Sequence, residues 1–234
     1  MKGGSISGSG TLYFDGSGAS GYDYNAGTIN ISTFDAHGSS FYNVGTITTS
    51  AFKNQTSGYP FINWGKLIVN GDMSTYNCPF YNGCYVKCSN ELTVTDLRIG
   101  NSAYIYSRTL NLNSSQVILG NDAILDTYYL SIGSSSIYGP VSGDDAVFQF
   151  AYFSNLWGTN YLYNHLDFCT TRTSWNMISF SSFWGNFYEN SAVGNYLWSQ
   201  INKTYDPSDC SDGISKDNPT PVTDTTLGYT FCYE

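Results

Sequence analysis

Charge is scarce in this sequence. Only 12% of its 234 residues are Asp, Glu, Lys or Arg, about half of the ~25% usual in soluble domains. Nine are basic, they are scattered, and the net charge is −9. A nucleic-acid partner needs clustered Lys and Arg to displace counterions from phosphates, so none is expected. Long apolar runs are also missing. No stretch approaches the roughly 18 residues that span a bilayer, and membrane insertion is not expected. The opening Met1-Lys2-Gly3-Gly4-Ser5 has no apolar stretch behind it to serve as a signal peptide. If the protein is exported, its signal has been removed or replaced.

Glycine (24 residues), tyrosine (21) and many Ser, Thr and Asn fill the space that charge leaves. Aromatic residues make up 17% of the chain, too many for a disordered segment, because such side chains must be buried somewhere. This composition suits many short strands joined by turns.

The strongest signal is a repeat. Asn25, Asn43, Asn63, Asn82, Asn101 and Asn121 are spaced by 18, 20, 19, 19 and 20 residues. Two positions after each comes a small residue: Gly27, Gly45, Gly65, Cys84, Ala103, Ala123. Four positions after comes an aliphatic: Ile29, Ile47, Leu67, Val86, Ile105, Leu125. Two positions before stand Phe41, Phe61, Phe80, Ile99 and Leu119, with Asp23 as the exception. Nine or ten positions after come Phe34, Phe52, Met73, Leu92, Leu110 and Leu130. Around the aliphatic the apolar residues alternate, as in Leu67 and Val69, which describes a strand with one buried face. So short a unit cannot bury its apolar side alone and must stack on its own copies.

The fold expected is therefore all-β: a single-stranded parallel β-solenoid of about 19 residues per coil, right-handed by general preference. The Asn column has two readings. Stacked amides can bond along the axis as a ladder, or each Asn can simply turn a corner in left-handed geometry. Gly8 to Phe14 reads as a degenerate first coil with Leu12 in the aliphatic column, and Gly139-Pro140 marks the last recognisable one. Residues 1–145 are thus read as solenoid coils. Residues 146–205 break the period and are rich in Phe, Trp and Tyr, an irregular region of coils or a cap. Residues 206–234, with Pro207, Pro219 and Pro221, read as a polar linker and the truncated start of a following segment.

The motifs Tyr-Asn-x-Gly-Thr-Ile (Tyr24–Ile29 and Tyr42–Ile47) and Gly-Lys-Leu-Ile-Val-Asn-Gly-Asp (Gly65–Asp72) carry a resemblance. With Asp167-Phe168-Cys169, Asp206-Pro207-Ser208-Asp209-Cys210 and the closing Tyr229, Phe231, Tyr233 and Glu234, they resemble the solenoid region of LruC-type surface proteins of Bacteroidota. In that family the closing motif opens an acidic C-terminal domain, which is not in this chain. The resemblance implies an exported, surface-associated protein and supplies no catalytic residues.

Six cysteines permit disulfides in an oxidising compartment. Cys84 fills the small-residue column and Cys88 an inward position, so Cys78, Cys84 and Cys88 read as buried thiols, with a Cys78–Cys84 or Cys78–Cys88 bridge as the other option. Cys169 with Cys210 is the preferred disulfide, because the two flank the irregular region. No metal site is expected: a zinc ion would need a fourth ligand near these cysteines, and Asp122, Asp126, Asp144 and Asp145 follow no calcium-loop pattern. No cofactor is implied. Asp72 and Glu91, 19 residues apart and hence adjacent on neighbouring coils, are the weak catalytic candidates, since two close carboxylates can serve a retaining glycosidase. Tyr85 and Tyr104 share an outward position between the small and aliphatic columns and are the ligand-binding candidates, because Tyr faces suit sugar rings.

The functional expectation is an extracellular, non-enzymatic structural or adhesive surface module. Its partners would be copies of itself in a fibre, other surface proteins, or glycans. A carbohydrate-binding module using stacked tyrosines is the first alternative, and a polysaccharide-active β-helix enzyme the second.

Overall fold

The computed structural model describes residues 3–15, 22–55 and 58–170, with four further strands placed by backbone alone. The strands are β1 (Ser5–Tyr13), β2 (Tyr22–Asn25), β3 (Thr28–Asp35), β4 (Ser40–Asn43), β5 (Thr46–Asn54), β6 (Phe61–Asn63) and β7 (Lys66–Val69). They continue with β8 (Met73–Asn82), β9 (Tyr85–Ile99), β10 (Tyr104–Leu119), β11 (Ile124–Gly133), β12 (Ser136–Tyr138), β13 (Ala146–Tyr163) and β14 (Leu166–Thr170). Every pairing among them is parallel, and no helix occurs among the described residues. The chain is a β-solenoid of about 8 turns at roughly 20-residue spacing. At ~4.8 Å per coil, eight steps rise roughly 38 Å along the axis.

Each coil sends three pairs of side chains inward, so the solenoid has three faces. The first face stacks Ile29, Ile47, Leu67, Val86, Ile105, Leu125, Phe148 and Phe168 in register. The second stacks Phe34, Phe52, Met73, Leu92, Leu110, Leu130 and Phe153. The third stacks Phe41, Phe61, Phe80, Leu97, Val117, Ile137 and Leu162. Residues of all three columns join one apolar core that continues from Ile29 to Leu156. In its N-terminal half this core is aromatic. Phe34 lies parallel to Phe52 at 5.6 Å, Phe41 to Phe61 at 5.3 Å and Phe61 to Phe80 at 5.6 Å. Such ring pairs each add about 0.5–1.5 kcal/mol beyond the area they bury.

The first coil is shifted from its expected register. Ile6, not Leu12, pairs with Ile29, while Leu12 pairs with Phe34 on the second face. At the other end the solenoid does not stop at residue 145. β13 continues the coil in register with β11, and β14 continues it again. The period breaks here because the corner at 139–145 is long and largely exposed, and because Phe148 and Phe153 replace leucines and Phe150 replaces Thr127 without changing the direction they face. The rest of the irregular region and the proposed linker, from residue 171 on, lie outside the described residues apart from the four short strands. One of these, Phe183–Glu189, pairs in parallel with the second half of β13.

The Asn ladder forms, but over four coils instead of six. Asn25 Nδ2 donates to Asn43 Oδ1 at 2.8 Å, Asn43 to Asn63 at 2.7 Å and Asn63 to Asn82 at 2.8 Å. All four are buried strand residues with no left-handed backbone. Asn82 then pairs with Ile99, and Ile99 with Leu119, so aliphatic side chains continue the column. Asn101 and Asn121 sit two residues further on, in turns followed by the left-handed residues Ser102 (φ 54°) and Asp122 (φ 55°). There the Asn101 carboxamide oxygen accepts the Asn121 backbone N–H at 3.1 Å. The ladder reading therefore holds for the first four asparagines and the turn reading for the last two. The small-residue column is complete because each position lies against the one below: a β-carbon on Gly65 would overlap the carbonyl oxygen of Gly45.

Removing the Asn63 side chain would take one bond each from Asn43 Nδ2, Asn82 Oδ1 and the carbonyls of Gly65 and Tyr85. At about 0.5–1.5 kcal/mol for each bond lost, Asn63→Ala should lose about 3 kcal/mol in urea unfolding of the full chain. Asn101→Ala, at an exposed corner, should lose no more than about 0.5 kcal/mol. Equal losses would contradict the four-coil ladder. Phe61→Ala, which empties the middle of a ring stack, should cost about 3–5 kcal/mol by the same measurement.

Candidate functional site

Cys78 and Cys88 are buried free thiols, and among the described residues no three His, Cys, Asp or Glu side chains gather around a metal-sized position. Cys88 Sγ takes an inward place equivalent to Thr49, Ser107 and Thr127. Like the threonine hydroxyls it caps corner carbonyls, donating toward Gly71 and Glu91 at 3.2 and 3.3 Å. Cys78 Sγ does the same toward Asn54 at 2.9 Å. Burial is the main cause that pushes the Cys78 thiol up to about 12 and Cys88 to about 11.

Cys84 departs from expectation. It fills the small-residue position and is fully buried, yet it is disulfide-bonded rather than a free thiol. Neither Cys78 nor Cys88 is its partner, since both are free, so the two short-range bridges considered from the sequence do not form. The partner lies outside the described side chains, as do both sulfurs of the expected Cys169–Cys210 bridge.

The carboxylate pair is adjacent, as the 19-residue spacing predicts, but exposed. Asp72 Oδ1 accepts from Asn90 Nδ2 at 2.5 Å and from the Glu91 backbone N–H at 3.3 Å. Glu91 accepts from the Thr93 hydroxyl at 3.2 Å. The bonds to Asp72 tie one coil's corner to the next, and both acids are exposed.

Tyr85 and Tyr104 do stack, at 5.7 Å between ring centroids. They are 7% and 2% exposed, packed with Cys84, Ile124 and Val147 in a second apolar cluster outside the main core. The Tyr104 hydroxyl donates to Asp126 at 3.3 Å. Rings this deeply covered present no face to a sugar, and an open aromatic surface lies on another side of the solenoid.

The third face supplies one. Its outward column, between the Phe and Asn columns, stacks Tyr24, Tyr42, Ile62, Tyr81, Arg98, Ile118, Tyr138 and Tyr163 in register. Between Tyr42 and Ile118 the surface opens into a groove of about 320 Å³, walled on one side by Trp64 at the coil corner. The Trp64 indole lies across Gly83 of the next coil, where any β-carbon would overlap it. It keeps 38% of its surface exposed. Arg98 lies over the Tyr81 ring, its guanidinium carbon 5.0 Å from the centroid. It grips Asp96 through Nε and Nη2, both at 3.1 Å. This groove could have been found in the sequence. Its residues stand one place before each ladder asparagine, as in Tyr42-Asn43, Ile62-Asn63 and Tyr81-Asn82, and Trp64 directly follows Asn63.

A pH test follows from the buried thiols. Their ionisation is raised in the folded chain above the ordinary 9.0, so their contribution to stability is complete below pH 9 and is lost as pH rises through 11 to 12. The urea midpoint of the native chain should therefore fall over that range, and fall less steeply in a Cys78→Ala/Cys88→Ala double variant. Parallel curves would show that the thiols ionise without cost in the fold.

No protein-family model matches this chain, and neither does any curated protein or solved structure.

Proposed function

We propose that this chain is an extracellular structural module, a rigid adhesive shaft on a cell surface that stacks end to end with other copies of itself. The supporting observation is the unbroken core. Side chains from every coil between β3 and β13 pack into one column of apolar contacts, so bending the shaft would open contacts along its whole length. A solenoid with this construction resists deformation without needing a catalytic cavity.

Two further features favour the reading. The disulfide at Cys84 suits an oxidising compartment, where such bonds form and persist. The first strand, β1, pairs with β3 on one side and with nothing on the other among the described residues. It is exposed over nearly its whole length. An open parallel edge of this kind is a template for a further strand, and a head-to-tail contact between copies does not close on itself. The resemblance to LruC-type surface proteins points in the same direction.

The test uses intact cells of the organism that encodes the chain. A membrane-impermeant biotin reagent should label the protein without lysis, and external protease should remove it. Labelling only after lysis would overturn the surface assignment. Light scattering of the purified full chain should show mass rising with concentration well beyond the 25.8 kDa monomer. A constant monomer mass would overturn the stacking.

A further inference from the structure

We propose that the groove beside Trp64 is a binding site for a neutral glycan, with a pyranose ring lying on the indole and the chain running along the solenoid axis. This does not rest on the shaft reading, because it follows from the surface chemistry of one face.

The groove combines two recognition elements that a sugar needs. A pyranose has an apolar face of C–H bonds and a rim of hydroxyls. Flat aromatic surfaces accept the first, and fixed hydrogen-bonding groups orient the second. Trp64 provides the flat surface. Gly83 beneath it has no side chain, so one edge of the indole lies against the backbone of the next coil. Tyr42, Ile62 and Tyr81 extend the surface along the axis. From Tyr42 to Ile118 the column crosses four inter-coil steps, or roughly 19 Å at ~4.8 Å per step, enough for a short run of linked sugar rings rather than one.

Arg98 supplies the polar element. Its Nε and Nη2 are spent on Asp96, and the Tyr81 ring supports its plane. The Nη1 protons meet no acceptor among the described residues, and the side chain remains 40% exposed. The guanidinium is thus immobilised with donors still available, which lowers the entropy lost when it bonds a hydroxyl.

Charge selects the glycan class. The one cation lining the groove among the described residues, Arg98, is already paired with Asp96, and the chain as a whole carries −9. An acidic polysaccharide would meet net repulsion with no unpaired cation to offset it. A neutral chain meets neither.

The experiment is titration calorimetry of the full chain against four hexasaccharides. Three are neutral, of β-1,4-linked glucose, β-1,4-linked N-acetylglucosamine and β-1,4-linked mannose, and one is a hexamer of galacturonic acid. At least one neutral hexasaccharide should bind, about tenfold or more weakly to Trp64→Ala and Arg98→Ala. Tyr128→Ala, which removes another exposed aromatic away from the groove, should bind as the native chain does. Circular dichroism confirms that each variant keeps its strands. Binding of none of the neutral sugars, preference for the acidic hexamer, or neutral binding that survives both groove substitutions would overturn the proposal. A chain that binds glycan yet fails surface labelling would overturn only the shaft reading, and a surface-labelled chain that binds none would overturn only this one.

Discussion

Everything in this molecule depends on parallel backbone hydrogen bonding between successive coils at ~4.8 Å. That spacing is close to the width of a side chain, so each residue is placed directly against its counterpart above and below. A side chain is therefore selected by its neighbours in the column more than by its neighbours in the sequence. Phenylalanines lie parallel to phenylalanines, amides bond to amides, and glycines occupy the corner where the backbones of adjacent coils touch. Burial alone would accept many residues at these places. Stacking accepts few.

The same constraint explains which features could be read from the sequence. Columns with a single rigid requirement were legible. The small corner residues and the aliphatics of the first face lie in register along the coils as their spacing indicated. The Asn column was legible only in part, for a geometric reason. From Thr75 to Phe80 the chain takes five residues to turn one corner, whereas the equivalent stretch from Val94 to Leu97 takes three. At the following corner the change is reversed: Asn82 to Tyr85 is three residues and Ile99 to Tyr104 is five. A deletion and an insertion of two residues cancel, so the period stays at 19 while everything between them shifts by two. Asn101 falls where an equal-spacing alignment places the next rung, yet it occupies a turn.

Outward positions were less legible because alternation identifies them without saying what covers them. Tyr85 and Tyr81 belong to adjacent strands and both point away from the core. One is buried in a satellite cluster containing a disulfide-bonded cysteine, and the other lines an open groove. No local pattern separates the two, since the difference lies in what the chain elsewhere lays over each face. Trp64 illustrates the converse. Its position on the surface is decided by a glycine nineteen residues later, a relation that becomes visible only once the coils are stacked.

The amide ladder has a direction. Each of its three side-chain bonds runs the same way, from the carboxamide nitrogen of one coil to the oxygen of the next, so the bond dipoles add and polarise one another. At its far end the Asn82 carboxamide nitrogen donates to the carbonyls of Cys84 and Tyr104, and the aliphatic Ile99 ends the ladder. The first coils of the solenoid consequently have an electrical sense along the axis, like a short wire insulated at one terminal. The two tips of such a body are chemically distinct, and a copy presented upside down would face a different surface from one presented upright.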